Sequence, residues 1–134
     1  MKAFRPDAED HTVWRHWLTE LANGDSPFGL SNQVLASVVR ITTHPRIWKN
    51  ASKPSSAIAF ANALLDHPNC RTINPGPRHW EIYCRLCAEP GVTGNLTQDA
   101  WLAALAIEHG CEWVTIDGDF DRFPGLRWRR LLRP

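Results

Sequence analysis

Between Thr97 and Asp117 the sequence passes from helix to strand across a single glycine turn, and this junction restricts the fold more than any other feature. Gln98–His109 repeats apolar residues at helical spacing, with Thr97 placed to cap the helix and Gly110 in the position just past its end. Glu112–Ile116 follows at once as a strand, and an acidic turn, Asp117–Asp121, closes it. A helix joined this tightly to a neighbouring strand packs back along it in the antiparallel sense. The first turn of the helix and the last residue of the strand then meet at one end of the domain.

The rest of the chain repeats the alternation in shorter pieces. Residues 10–22 have an amphipathic helical pattern, with Val13, Trp14, Trp17, Leu18 and Leu21 on one face. Gly24–Gly29 is rich in turn formers and is expected as a turn. Ser31 is placed to cap a helix running to about Thr43, and His44-Pro45 ends it because the residue before proline is driven out of the helical region. Ser55 or Ser56 opens a third helix through Leu65, and Cys70–Ile73 has the length of a short strand. Pro77 suits the first position of a helix containing Trp80, Ile82, Tyr83, Leu86 and Cys87. Leu126–Trp128 is expected as a last short strand. Short helices alternating with short strands predict an α/β sandwich with a mostly parallel sheet. In such sheets ligands sit at the carboxyl ends of the strands, which is where Asp117 falls.

Composition narrows the class. A chain of 134 residues is the size of one domain and can bury a core. At 43% hydrophobic and 22% charged it is not a disordered polymer. No apolar run approaches the roughly 20 residues that span a bilayer, and Met1–Asp7 carries no signal-like stretch, so the expected location is cytoplasmic. Cysteines 70, 84, 87 and 111 are then expected as reduced, mostly buried thiols. Cys84 and Cys87 form a C-x-x-C, but inside a helical pattern with no second pair, which favours packing over a zinc or redox site. The net charge of +1 announces no nucleic acid, although four arginines crowd Arg127–Arg133. Most of the seven tryptophans fall on apolar faces and are expected in the core; Trp48 and Trp128 stand in less regular surroundings where bases could stack. Arg78 and His79, at a helix start, could touch phosphate, against an ordinary turn.

Two carboxylates carry the chemistry. Asp99 alone reads as a first-turn charge complementing the helix dipole, and Asp117 alone as a turn or cap residue. The helix–strand junction brings them to one rim, where Asp119 adds a third carboxylate and Thr115 a hydroxyl. Like charges gathered in this way call for a cation, and Mg²⁺ is commonly held by one or two carboxylates plus water. The chemistry then available is phosphodiester hydrolysis by a metal-activated water.

Gly94–Ala100 with Leu102–Ala106 and Glu108–Cys111 resembles the third acidic motif of the PIN-domain VapC ribonucleases, and Val114–Phe120 with Arg122–Leu126 resembles the fourth. Phe28–Ser31, Arg40–Arg46 and Pro75–Trp80 are similar to recurrent segments of one branch of these toxins. The resemblance covers roughly Ala3 to Arg130 and implies one PIN domain over residues 1–134, an α/β/α sandwich with a central parallel sheet. It also implies an endoribonuclease toxin that uses Mg²⁺ or Mn²⁺, forms a homodimer and is inhibited by a cognate VapB antitoxin. Asp99 and Asp117 would be metal ligands, and Asp119 would complete the catalytic site. Two departures stand out. The family's first hydrophobic strand, with its Asp, is missing ahead of Ala3–Asp7, and Ser37 stands about where many members carry a Glu. Either the true start lies upstream, which the quality of the other motifs favours, or the chain is an inactive remnant that only binds antitoxin or a partner subunit.

Overall fold

The structure, a computed structural model, describes residues 2–9, 11–115 and 117–131. The chain divides into two compact units, Met1–Ile73 and Asn74–Pro134.

In the first unit, residues 2–9 turn back and forth with no strand among them and lead into α1 (His11–Asn23). Buried Arg5 pins this segment: its Nη1 donates to Asn50 O at 2.7 Å and Ser52 Oγ at 2.8 Å, and its guanidinium lies 4.3 Å from the Trp48 ring centre. The chain continues through β1 (Phe28–Leu30), α2 (Asn32–Thr42), α3 (Pro54–Leu65) and β2 (Cys70–Thr72). The turn expected over Gly24–Gly29 ends early, because Phe28 is buried and pairs with Cys70 while Gly29 pairs with Arg71 in a parallel ladder. Tertiary pairing overrides the local turn composition there. Ser31 caps α2 as expected, its hydroxyl accepting from Gln33 N. Helix α3 begins at Pro54, ahead of the expected serines, since the fixed φ of proline suits a first helical position.

The second unit holds α4 (His79–Cys87), α5 (Asn95–Glu108), β3 (Trp113–Thr115), a 3-10 turn (Gly118–Arg122) and β4 (Trp128–Arg130). Ile82, Leu86, Val92, Ala100, Ala103, Ala104, Phe120 and Phe123 form its core. The alanines give α5 a flat face on which α4 packs closely. Strands β3 and β4 pair in parallel, Trp113 with Trp128 and Thr115 with Arg130. The last strand therefore starts two residues later than Leu126, which packs against the core instead. The predicted β3 strand agrees at Trp113–Thr115, while its last expected residue, Ile116, lies outside the described residues.

Two helix starts differ from expectation. Helix α5 begins at Asn95 with Gly94 as its cap; Thr97 is already inside and its hydroxyl donates to Gly94 O at 2.7 Å. Gly110, at φ +65°, takes the left-handed position past the helix end, as expected. Helix α4 begins at His79 rather than Pro77, with a carboxylate bound to the amides just ahead of it. Gly76 N and Arg78 N both donate to Glu108, at 2.7 and 2.8 Å. A Cβ at Gly76 would stand 2.7 Å from Glu108 Oε2, so only glycine permits this approach. Both units are thus helical with short parallel strand pairs, the α/β class expected from the sequence.

Candidate active site

Asp99 lies at the fifth position of α5, in its second turn, and α5 has no acidic residue in its first turn. The dipole explanation therefore loses its basis, since that effect fades beyond the first turn. Asp99 is half-buried beside the fully buried Ala100. Burial pushes its carboxyl above the ordinary value, Asp117 and then Asp119 push it further, and Arg122 opposes them. Asp117 and Asp119 thus act on Asp99 through their charge, after burial.

Asp117 follows β3 and caps the 3-10 turn: its Oδ1 accepts from Asp119 N at 2.9 Å, and its own amide donates to Thr115 Oγ1 at 3.0 Å. The turn reading of Asp117 therefore holds, and the cap also fixes the carboxylate at the strand end. Asp119 is exposed; its carbonyl accepts from Arg122 Nε at 3.0 Å, and its Oδ1 is 3.9 Å from Arg122 Nη2. Arg122 was not singled out in the sequence. Its signal is the i, i+3 spacing from Asp119 inside one turn.

Among the described residues, no three His, Cys, Asp or Glu side chains converge to hold an ion by themselves. Hard carboxylate oxygens still fit Mg²⁺, which takes one or two such ligands and completes its octahedron with water and substrate phosphate. A divalent ion beside Asp99 would offset the charge of Asp117 and Asp119, which Arg122 already opposes.

The other sequence candidates have structural employment. His79 is buried and donates through Nε2 to Trp101 O at 2.9 Å, and the anion at the start of α4 is the chain's own Glu108. Of the arginines near the C-terminus, Arg127 donates to Gly110 O and Arg129 to Glu112, while Arg133 lies outside the described residues. Trp48 is spent on Arg5 and on Ile41 O, and Trp128 packs against the second unit's core. The expectation that tryptophans are core fails at Trp80, which is 65% exposed on the outer face of α4. The cysteines are free, but they are not mostly buried: Cys84 is exposed and the other three are half-buried. Cys84 falls on the solvent side of α4, four residues after the exposed Trp80.

The PIN domain family matches residues 2–126. Ribonuclease VapC43 of Mycobacterium tuberculosis is 38% identical over 130 residues, covering 97% of this chain and 88% of the relative. Ribonuclease VapC25 of the same organism is 39% identical over 127 residues, covering 95% and 89%. A solved structure, VapBC2 from Rickettsia felis bound to a DNA fragment from their promoter, matches with a TM-score of 0.67 and 20% identity, over 96% of this chain and 89% of that one. At that identity the likeness speaks for the fold. Sequence and fold agree along nearly the whole length, and the chain belongs to the PIN domain family.

Proposed function

We propose that this protein is the toxin of a VapBC-type pair, a metal-dependent endoribonuclease that cleaves RNA phosphodiester bonds at the rim formed by Asp99, Asp117 and Asp119. The observation that carries the reading is the match along nearly the whole chain to relatives named ribonucleases, and the effect of Asp117 and Asp119 on Asp99 supports the choice of residues. Asp99 and Asp117 would hold the ion and Asp119 would assist. Mg²⁺, or Mn²⁺ in its place, would lower the pKa of a bound water and offset charge on the phosphate. Asp99 has a rigid base in the alanine face of α5, and Asp117 is aimed by its own cap, so the chain positions its donors before substrate arrives.

The match across residues 2–126 supports treating residues 1–134 as one PIN domain. The named VapBC assembly supports a VapB-type antitoxin as partner, and the family reading carries a homodimer and a cytoplasmic location with it. No helix among the described residues is long and apolar enough to cross a membrane.

The test is cleavage of labelled single-stranded RNA by the purified chain, with Mg²⁺ or Mn²⁺ and with a chelator. Cleavage that needs the metal and stops when antitoxin is added is the expected result. A second reading, an inactive remnant that only binds antitoxin or a partner subunit, is favoured by the lack of three converging ligands among the described residues. Antitoxin binding without any metal-dependent cleavage would select it.

A further inference from the structure

Arg122 ends the 3-10 turn that carries Asp119, and its guanidinium is held from one side only. Nε donates to Asp119 O at 3.0 Å, which fixes the plane of the group. Nη2 stands 3.9 Å from Asp119 Oδ1, an ion pair too long for a hydrogen bond. Nη1 lies beside Gly91, 3.9 Å from where a Cβ on that glycine would sit. About a third of the side chain is exposed (35%). The Nε contact serves the short turn, and the Nη edge, two parallel N–H groups, has Gly91 beside Nη1 and the Asp119 carboxylate beside Nη2. That edge matches two oxygens of a phosphate. The guanidinium also acts on Asp99 in the sense opposite to Asp117 and Asp119. It therefore sits within electrostatic reach of Asp99 as well as Asp119 and offers an approaching phosphodiester a positive group beside them.

We propose that Arg122 is the phosphate-contacting residue of the rim, its Nη edge donating to non-bridging oxygens of the RNA backbone next to Asp99 and Asp119. The inference rests on the ribonuclease reading and adds a substrate contact to it. It makes opposite predictions for the two ligands. Removing the guanidinium weakens RNA binding, and it leaves divalent metal binding equal or tighter, because a positive charge beside the ligands is gone.

The experiment compares the wild-type chain with Arg122→Gln and Arg122→Lys. Affinity for a single-stranded RNA oligonucleotide is measured in chelator across a salt series, alongside Mn²⁺ affinity, thermal unfolding and KM against kcat for cleavage. Arg122→Gln should bind RNA about tenfold more weakly, with the salt slope reduced by about one. Its KM should rise more than its kcat falls, its Mn²⁺ affinity should not drop, and its unfolding temperature should stay near wild type. Arg122→Lys, which keeps the charge but loses the fork, should fall between the two. A wild type that cleaves while Arg122→Gln keeps the same RNA affinity and KM overturns the inference alone. Loss of RNA and Mn²⁺ affinity together with a lower unfolding temperature would assign Arg122 a structural role and also overturn it. A wild type that neither binds nor cleaves RNA overturns the ribonuclease reading, and this inference with it.

Discussion

Residues 1–73 and 74–134 are organised on different principles. Among the described residues, the first unit buries Ala22, Phe28, Leu35, Ala57 and Ala61 of its apolar side chains, three of them alanines. The second buries Ile82, Leu86, Val92, Leu105, Phe120 and Phe123 together with four alanines of α5. Trp14, Trp17, Leu18 and Leu21 of α1 stay only half-buried, and an open groove of about 220 Å³ between α1 and α3 is lined by polar Arg15, Thr19 and Asn23 as well as Leu18, Phe60 and Leu64. Polar anchors stand in for packing in that unit. Arg5 binds the 50–52 segment, Trp48 Nε1 donates to Ile41 O at 3.0 Å, and Asn69 Nδ2 donates to Ala22 O at 3.3 Å. The carboxylates of the site are mounted on the unit with the aliphatic and aromatic core. A side chain is held to a geometry only as well as its support is packed.

The contrast can be broken most sharply at Arg5. Arg5→Ala removes charge-assisted bonds to Asn50 O and Ser52 Oγ and should cost about 3 kcal/mol. Amide hydrogen exchange should show that loss concentrated in residues 2–73. Equal loss of protection in α4 and α5 would mean that the two units open as one and that the contrast has no energetic meaning.

A smaller effect is expected at Glu108 in the second unit. Its burial would raise the carboxyl pKa, but hydrogen bonds from Gly76 N and Arg78 N prevail and hold it below the ordinary range. A lowered folded value means that the carboxylate stabilises the fold above the unfolded pKa and loses that contribution as pH falls through the folded one. Glu108→Gln should cost about 1–2 kcal/mol at neutral pH, with the difference from wild type closing in acid, as followed by urea unfolding at several pH values. A constant difference across pH would assign the effect to shape rather than charge. The smallest effect belongs to Ile58, which is 48% exposed on α3: Ile58→Ser should change stability by less than about 0.5 kcal/mol.

What the sequence made legible follows the same division. The Gly110 turn between α5 and β3 is strictly local chemistry, and it is the basis for expecting Asp99 and Asp117 at one rim. Ser31, the proline-terminated helices and the order of elements were legible for the same reason. The starts of α4 and α5 were not: at α4 Glu108 reaches back to Gly76 and Arg78 from a distant part of the chain, and at α5 the cap falls three residues early, on Gly94 rather than Thr97. The strand at Phe28–Leu30 was hidden by turn-forming neighbours and is made by its pairing with Cys70–Thr72. The exposure of Trp80 depends on packing that no period in the sequence reports.

The central claim is that Asp99 serves chemistry rather than the fold. Its carboxyl is pushed above the ordinary value by burial and by its acidic neighbours. With the folded pKa raised, any stabilisation tied to the protonated form is lost as pH rises through that value, and the ionised form strains the metal-free protein at neutral pH. Asp99→Asn, an isosteric change that removes the charge, is measured against wild type for Mn²⁺-dependent RNA cleavage and for thermal unfolding in chelator at pH 7. Cleavage should fall by at least about a hundredfold, while the unfolding temperature stays equal or rises. Retained cleavage, or lost cleavage accompanied by a lower unfolding temperature, would contradict the account.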